Sequence, residues 1–265
     1  MLRLPTSESV RAIFLHRHAV EVVVLGHQKS GTTAIAALLA RMAGKGYSND
    51  PLYRVDWGGG SAAEAVMANP ESLTDLVRSR RRMFCRPFLK DPDLSFIIPA
   101  CRRTFDRARF VFVVRDPRDT VRSIADRLGL TARDLLCPAD ASKLPNRHWS
   151  LILAGCLPEV RGNSIAEAIA MRWRIAVRHF YDNSDGIVLL RYEDFLADRI
   201  GSLARCLGDL GIKQRQDITP WLETRYQPKG DASMGLQDRL GNECVRFIEE
   251  ICSVELHKMG YPLRR

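Results

Sequence analysis

The stretch Val20–Ala40, VEVVVLGHQKSGTTAIAALLA, constrains the fold more than any other part of the chain. Val20 to Leu25 is a short apolar run rich in β-branched residues, which predicts a buried strand. Gly26 closes the run, and His27–Gly31 is polar and small. Ile35, Leu38, Leu39 and Met42 then recur at i, i+3, i+4 and i+7, one apolar face of a helix. A strand, a glycine-containing loop and a helix N-terminus in succession make an anion-binding device. Unpaired backbone N–H groups and the positive end of the helix dipole converge on one small volume.

The loop departs from the Walker pattern G-x-x-x-x-G-K-[ST]. Gly26 and Gly31 have its spacing, but Thr32 follows the second glycine and the lysine, Lys29, sits inside the loop. A lysine after the second glycine reaches the terminal phosphates of a nucleoside triphosphate. A lysine within the loop lies beside the 5′ end of a shorter ligand. The residues alone leave open a divergent kinase or another phosphate-binding α/β turn.

The chain of 265 residues, 46% hydrophobic, is expected to form one domain spanning 1–265, with a substrate-side insertion at 130–162. The formal net charge of +9 is compatible with nucleic acid, an anionic membrane or anionic small ligands. The cations are spread along the chain, apart from a cluster at Arg78–Arg82. No zinc-finger spacing and no RNA-motif signature is present, so no nucleic-acid partner is expected. Seven cysteines without a C-x-x-C suit a reducing compartment, and a cytoplasmic location is expected. The N-terminal stretch reads as neither a signal peptide nor a membrane span, and no later run is long and apolar enough to cross a bilayer.

Strand and helix signals alternate along the chain. Gly44–Gly60 reads as a long loop. Helical patterns follow at Ala62–Ala68 and Glu71–Arg82, a strand at Phe84–Leu89 and a helix at Leu94–Phe105. Arg109–Val114 reads as a strand, followed by Asp116 as an N-cap and Pro117 at the first helical position. Val121, Ile124, Ala125 and Leu128 line one face of that helix, with Ser123 roughly opposite. Leu130–Gly162 is irregular. Ser164-x-x-Glu167 is a capping box opening a helix with Ile165, Ile169, Trp173, Val177 and Phe180 inward. Ile187–Leu190 is a strand, a helix then runs to about Leu210, and Leu236–Lys258 is one long closing helix. The pattern predicts an α/β, three-layer P-loop-like fold, its central parallel sheet flanked by helices, with ligands at the carboxyl ends of the strands.

Three ordered segments resemble the sulfotransferases that use 3′-phosphoadenosine 5′-phosphosulfate (PAPS). Lys29-Ser30-Gly31-Thr32-Thr33 resembles their 5′-phosphosulfate loop. VFVVRDPRDTVRS, Val111–Ser123, resembles their 3′-phosphate motif, which puts Arg115 and Ser123 on the 3′-phosphate. LRYEDF, Leu190–Phe195, resembles the Y-E-D element, with Tyr192 near the nucleotide. Leu89-Lys90-Asp91-Pro92 is a weaker match to K-[ST]-H of the cytosolic branch. It implies that Lys90 meets the transferring group, while Pro92 stands in place of the histidine base. The resemblance covers Val20 to Leu210 and is nearer the carbohydrate-type and bacterial branch. Lys229-Gly230 only faintly matches the C-terminal R-K-G element, and Ala34 replaces an aromatic that stacks on adenine.

The resemblance implies PAPS as donor, adenosine 3′,5′-bisphosphate as product and a small-molecule or carbohydrate acceptor. Lys29 and Lys90 would stabilise charge, with no metal required. Asp50 leads as the general base, ahead of Asp56 and Glu64, with His148 a further possibility and His179 expected to face solvent. The rival readings are a P-loop kinase, with Asp116 as the magnesium-binding carboxylate and Thr33 on the metal, and a nucleotide-binding scaffold without a base.

Overall fold

The computed structural model describes residues 20–57, 60–140, 144, 147–154, 157, 160, 162–224, 226 and 234–263. Its main sheet has five strands: β1 (Val22–Gly26), β2 (Tyr47–Asn49), β3 (Phe88–Lys90), β4 (Arg109–Val114) and β5 (Ile187–Arg191). Their order is β2-β3-β1-β4-β5, and every neighbouring pair is parallel. This is the expected α/β arrangement, a central parallel sheet with helices against it. Among the described residues, no helix is long and apolar enough to cross a membrane.

The chain forms two compact units. The first holds described residues from 20–27, 31–114 and 179–226, and the second from 28–30, 115–178 and 227–265. The sheet is the core of the first. Every residue of β1 is buried, as a strand covered on both faces must be. Alternate side chains serve opposite faces. Val22, Val24, Val111 and Val113 pack with Ile35, Leu38, Leu39 and Met42 of α1 (Thr32–Met42) and with Leu203 and Leu207 of the helix Arg199–Asp209. Full burial of each such Leu or Ile is worth about 1.5–3 kcal/mol. On the alternate register Phe112 stacks on Phe180 with ring centroids 4.7 Å apart.

The second unit is helical. Asp116 caps α2 (Pro117–Leu128), its Oδ1 accepting from the Arg118 backbone N–H at 2.9 Å, with Pro117 at N1. Val121, Ile124 and Ala125 are buried along one face. The Ser164 hydroxyl accepts from the Glu167 backbone N–H at 3.3 Å at the start of α3 (Ile165–Asp182), while the Glu167 carboxylate accepts from Asn163 at 2.9 Å. Ile165, Ile169, Trp173 and Val177 are buried as their spacing predicts. So are Arg172, Ile175 and Ala176, which leaves a partly exposed stripe through Glu167, Met171, Arg174 and Arg178 outside the buried face of α3.

Several expected elements differ. Gly44–Gly60 is not a plain loop, for it contains edge strand β2, a one-turn helix Pro51–Arg54 and the start of a two-stranded ribbon, Asp56–Trp57 with Gly60–Ser61. A three-residue strand is too short for any hydrophobic period to register. The strand expected at Phe84–Leu89 begins only after Pro87, whose ring nitrogen cannot donate to a ladder. The helix expected over Glu71–Arg82 is regular only at Leu73–Ser79, and that over Leu94–Phe105 only at Ile98–Thr104, with 3₁₀ turns beside them. Among the described residues of 130–162 are two short helices, Ala132–Leu135 and Arg147–Ala154. The C-terminal helix is broken at Gly241, where φ is 80°, into Leu236–Leu240 and α4 (Asn242–Lys258).

Candidate active site

In an open parallel sheet, ligands bind outside the carboxyl ends of the strands where the order reverses. Here the chain leaves β1 toward β3 and β2, and leaves β4 toward β5. The reversal falls between β1 and β4. The segments that follow these strands are 27–31 and 115–116, the two with the anion-binding signatures.

The first of these is shaped by backbone demands. Gly26 has φ 136°, and a Cβ there would lie 2.3 Å from the Val113 carbonyl oxygen, so only glycine lets β1 approach β4 at that point. Lys29 has φ 66°. Gly31, the residue before α1, has φ 84°, and a Cβ on it would meet Cδ2 and Cε2 of Tyr192 at 2.4 Å. Tyr192 therefore roofs the glycine and packs against the core. Thr32 and Thr33 are buried in the first turn of α1. The Ser30 side chain is fully buried, and its Oγ has no hydrogen-bond partner among the described residues. A buried hydroxyl without a partner is costly. At a helix start it fits a loop built to take an anion.

The second unit brings Lys29 and Arg115 together. Nη1 of Arg115 donates to the Lys29 carbonyl oxygen at 3.0 Å. The indole Nε1 of Trp173 donates to the Arg115 carbonyl oxygen at 2.9 Å. The neighbouring acids are engaged elsewhere. Asp116 takes a two-pronged contact from Arg118, Nε to Oδ1 at 2.9 Å and Nη2 to Oδ2 at 2.6 Å, while Asp119 pairs with Arg122 at 2.8 Å. Arg118 is buried, and it also pairs with Glu249 of α4 and donates to the Pro262 carbonyl at 2.9 Å. Ser123 is half-buried on α2.

In the first unit, Lys90 and Asp50 form an ion pair, Nζ to Oδ1 at 2.8 Å, with Lys90 3% and Asp50 25% exposed. Lys90 ends β3, and Asp50 directly follows the adjacent β2. Asn49 is in register with Lys90, and the Asp50 N–H donates to the Lys90 carbonyl at 2.8 Å. Asp50 has φ 48°, and it and Lys29 are the non-glycine residues with positive φ among the described residues. Such strain gathers at functional positions. Asp91 secures the turn, accepting from Leu52 N at 2.9 Å and Asp93 N at 3.1 Å. Burial pushes the Asp91 carboxyl well above the usual carboxylate range, and the charges of Asp93 and Asp50 push the same way.

The other candidates for a base are placed differently. Glu64 closes a capping box with Ser61, which gives its carboxylate a structural task. Asp56 is exposed on the two-stranded ribbon, and His148 is half-buried on the helix Arg147–Ala154. His179 does not simply face solvent: it is half-buried, its ring edge-on to Phe96 with centroids 6.4 Å apart. Lys229 and Gly230 lie outside the described residues. Sequence reasoning did not find Arg172 as a polar anchor. Its side chain is fully buried, and Nε donates to Oε1 of Gln28 at 3.4 Å. A charged residue amid an otherwise apolar helix face was the available signal.

No family model and no curated protein matches this sequence. Solved structures do resemble it. A sulfotransferase, STF9, from Mycobacterium avium is 14% identical, covering 96% of this chain and 80% of its own, with a TM-score of 0.58. A sulfotransferase from Alicyclobacillus acidocaldarius is 12% identical, covering 92% and 97%, with a TM-score of 0.54. Mouse sulfotransferase SULT7A1, solved with PAP, is 14% identical over 96% and 90% at a TM-score of 0.51. The chain has the sulfotransferase fold.

Proposed function

We propose that the protein is a PAPS-dependent sulfotransferase acting on a hydroxyl, less readily an amine, of a sugar, lipid or secondary metabolite. The observation that carries this reading is the contact of the Arg115 guanidinium with the Lys29 carbonyl. It joins the two signatures expected to bind opposite ends of one doubly phosphorylated nucleoside. The Ser30 Oγ, which has no hydrogen-bond partner among the described residues, adds support.

When bound, the donor supplies a sulfuryl group attached to a phosphate leaving group. Lys29 would hold its ammonium against the 5′-phosphate, with Ser30, Thr32, Thr33 and the N–H groups of Ser30–Thr33 as further donors, and Gly31 would leave room for close approach. These groups would stabilise the negative charge left on the phosphate oxygen when the sulfuryl group is transferred. Arg115 would grip the 3′-phosphate through its planar fork, and Ser123 would add a hydrogen bond. Tyr192 buttresses Gly31. By the family resemblance, Lys90 would stabilise the sulfuryl oxygens, and the Asp50 carboxylate would take the proton the acceptor hydroxyl loses. Asp50 would thus do the work for which Pro92 leaves no histidine.

The kinase reading asks Asp116 to bind magnesium, whereas both its oxygens are held by Arg118. Titration calorimetry with adenosine 3′,5′-bisphosphate against ATP plus magnesium tests the proposal. Tight metal-independent binding of the bisphosphate is expected, and preference for ATP would overturn it. Sulfate transfer to a panel of hydroxyl acceptors, with Asp50→Asn alongside, separates enzyme from scaffold. Loss of turnover with retained bisphosphate binding is expected, and full activity removes Asp50 as the base.

A further inference from the structure

Three hydrogen bonds of the second unit close into a ring. Arg172 donates through Nε to the Gln28 side chain at 3.4 Å. Gln28 is bonded to Lys29, whose carbonyl accepts from the Arg115 guanidinium at 3.0 Å. The Arg115 carbonyl in turn accepts from the indole of Trp173 at 2.9 Å, and Trp173 is bonded to Arg172. Two adjacent residues of α3 therefore hold both the loop after β1 and the residue after β4. Arg172 and Trp173 are 0% and 1% exposed, so neither anchor is exchanged with water.

We infer that Arg172 and Trp173 are positioning residues for the two phosphate contacts: Arg172 holds the loop that meets the 5′-phosphate, and Trp173 holds Arg115 and so sets the selectivity for a 3′,5′-bisphosphate over a 5′-monophosphate. The inference rests on the PAPS reading above. The physical argument is pre-organisation. Lys29 occupies a left-handed conformation that a lone lysine does not favour. An arginine side chain has many rotamers to lose on gripping a phosphate. In the ring the guanidinium is already tied to the loop backbone, and the backbone it hangs from is tied to α3. The ordering cost is met in folding rather than in binding. Trp173 acts on the Arg115 side of the ring and Arg172 on the loop side, so their loss should be felt by different phosphates.

The test is calorimetric binding of adenosine 3′,5′-bisphosphate and adenosine 5′-phosphate to wild type, Trp173→Phe, Arg172→Met, Arg115→Ala and the Arg115→Ala/Trp173→Phe double variant. Phenylalanine keeps an aromatic in the buried site and removes the N–H. Trp173→Phe should weaken the bisphosphate about five- to tenfold, the scale of one hydrogen bond, and the monophosphate less than about twofold. In the Arg115→Ala background it should have no further effect. Arg172→Met should weaken both ligands by a similar factor. Equal losses of both ligands in Trp173→Phe, no loss, or the same loss without the Arg115 side chain would overturn the inference. So would an Arg172→Met variant that binds both ligands as wild type does. If wild type does not prefer the bisphosphate, the PAPS reading fails instead. Should Trp173→Phe not fold, indole ¹⁵N–¹H spectra of the wild type decide, with Trp57, Trp149 and Trp221 replaced one at a time to assign the fourth signal. The Trp173 resonance should move further with bisphosphate than with monophosphate, and an unmoved resonance refutes its role.

Discussion

Gly31→Ala probes the loop and its roof together. Two costs add. Alanine at φ 84° carries about 1–2 kcal/mol that glycine does not. The new methyl would also lie 2.4 Å from two carbons of the Tyr192 ring, more than 1 Å inside the roughly 3.5–4.0 Å at which carbons attract. Tyr192 packs on the core beneath it, so moving the ring gives up that packing, and overpacking of this kind costs about 1–3 kcal/mol. The sum is a loss of about 2–5 kcal/mol in unfolding free energy, measured by urea denaturation followed by circular dichroism. Tyr192→Ala opens the space but leaves the backbone angle. In that background Gly31→Ala should cost only the first part, about 1–2 kcal/mol. A coupling of about 1–3 kcal/mol should thus appear in the double-mutant cycle. Strict additivity would show that the ring does not roof the glycine, and a loss in wild type below about 0.5 kcal/mol would sink the whole account of the loop.

Other expectations concern buried charge. Arg118→Ala leaves Asp116 and Glu249 facing each other without their shared cation, and should destabilise by about 3–5 kcal/mol in chemical denaturation; a change within about 0.5 kcal/mol would refute the burial of this network. Lys90→Met removes the partner of Asp50, and Asp50→Asn strands a buried ammonium. Each should cost about 3 kcal/mol, the low end for a buried pair because Asp50 is a quarter exposed, and the double variant should cost less than the sum, whereas additive losses would deny the pair. Asp91 gives a pH signature. Its carboxyl titrates higher folded than unfolded, so the folded state binds more protons and Asp91's contribution is fully present below the unfolded value, about 3.9. That contribution is lost as pH rises through the raised folded value. The stability of wild type relative to Asp91→Asn should therefore fall as pH is raised from about 4, in parallel denaturant titrations. A difference that grows with pH contradicts the assignment.

Much of this molecule was legible in its residues because the signals are local. β1, the loop and α1 follow from β-branched clustering, a polar gap and a helical apolar period. Arg109–Val114 followed by Asp116 and Pro117 reads as a strand and a capped helix without reference to anything else, and both form at those residues. Spacing and resemblance single out Lys29, Arg115 and Asp50 as candidates, whose roles are proposals.

What spacing cannot carry is partnership between distant residues. β2 is a strand only because β3 offers it a parallel edge, and three residues have no period of their own. The pairing of Lys90 with Asp50, forty positions away, depends on that same edge. Arg118 reads as one more surface cation until α4 and the chain end deliver Glu249 and Pro262. Arg172 stands out as a charge on an apolar helix face beside the core-facing Trp173, but only folding shows that they meet Gln28 and Arg115. Local periodicity determines which segments coil or extend. Only burial among particular neighbours determines which charges survive inside, because a charge withdrawn from water persists where another part of the chain supplies its partner.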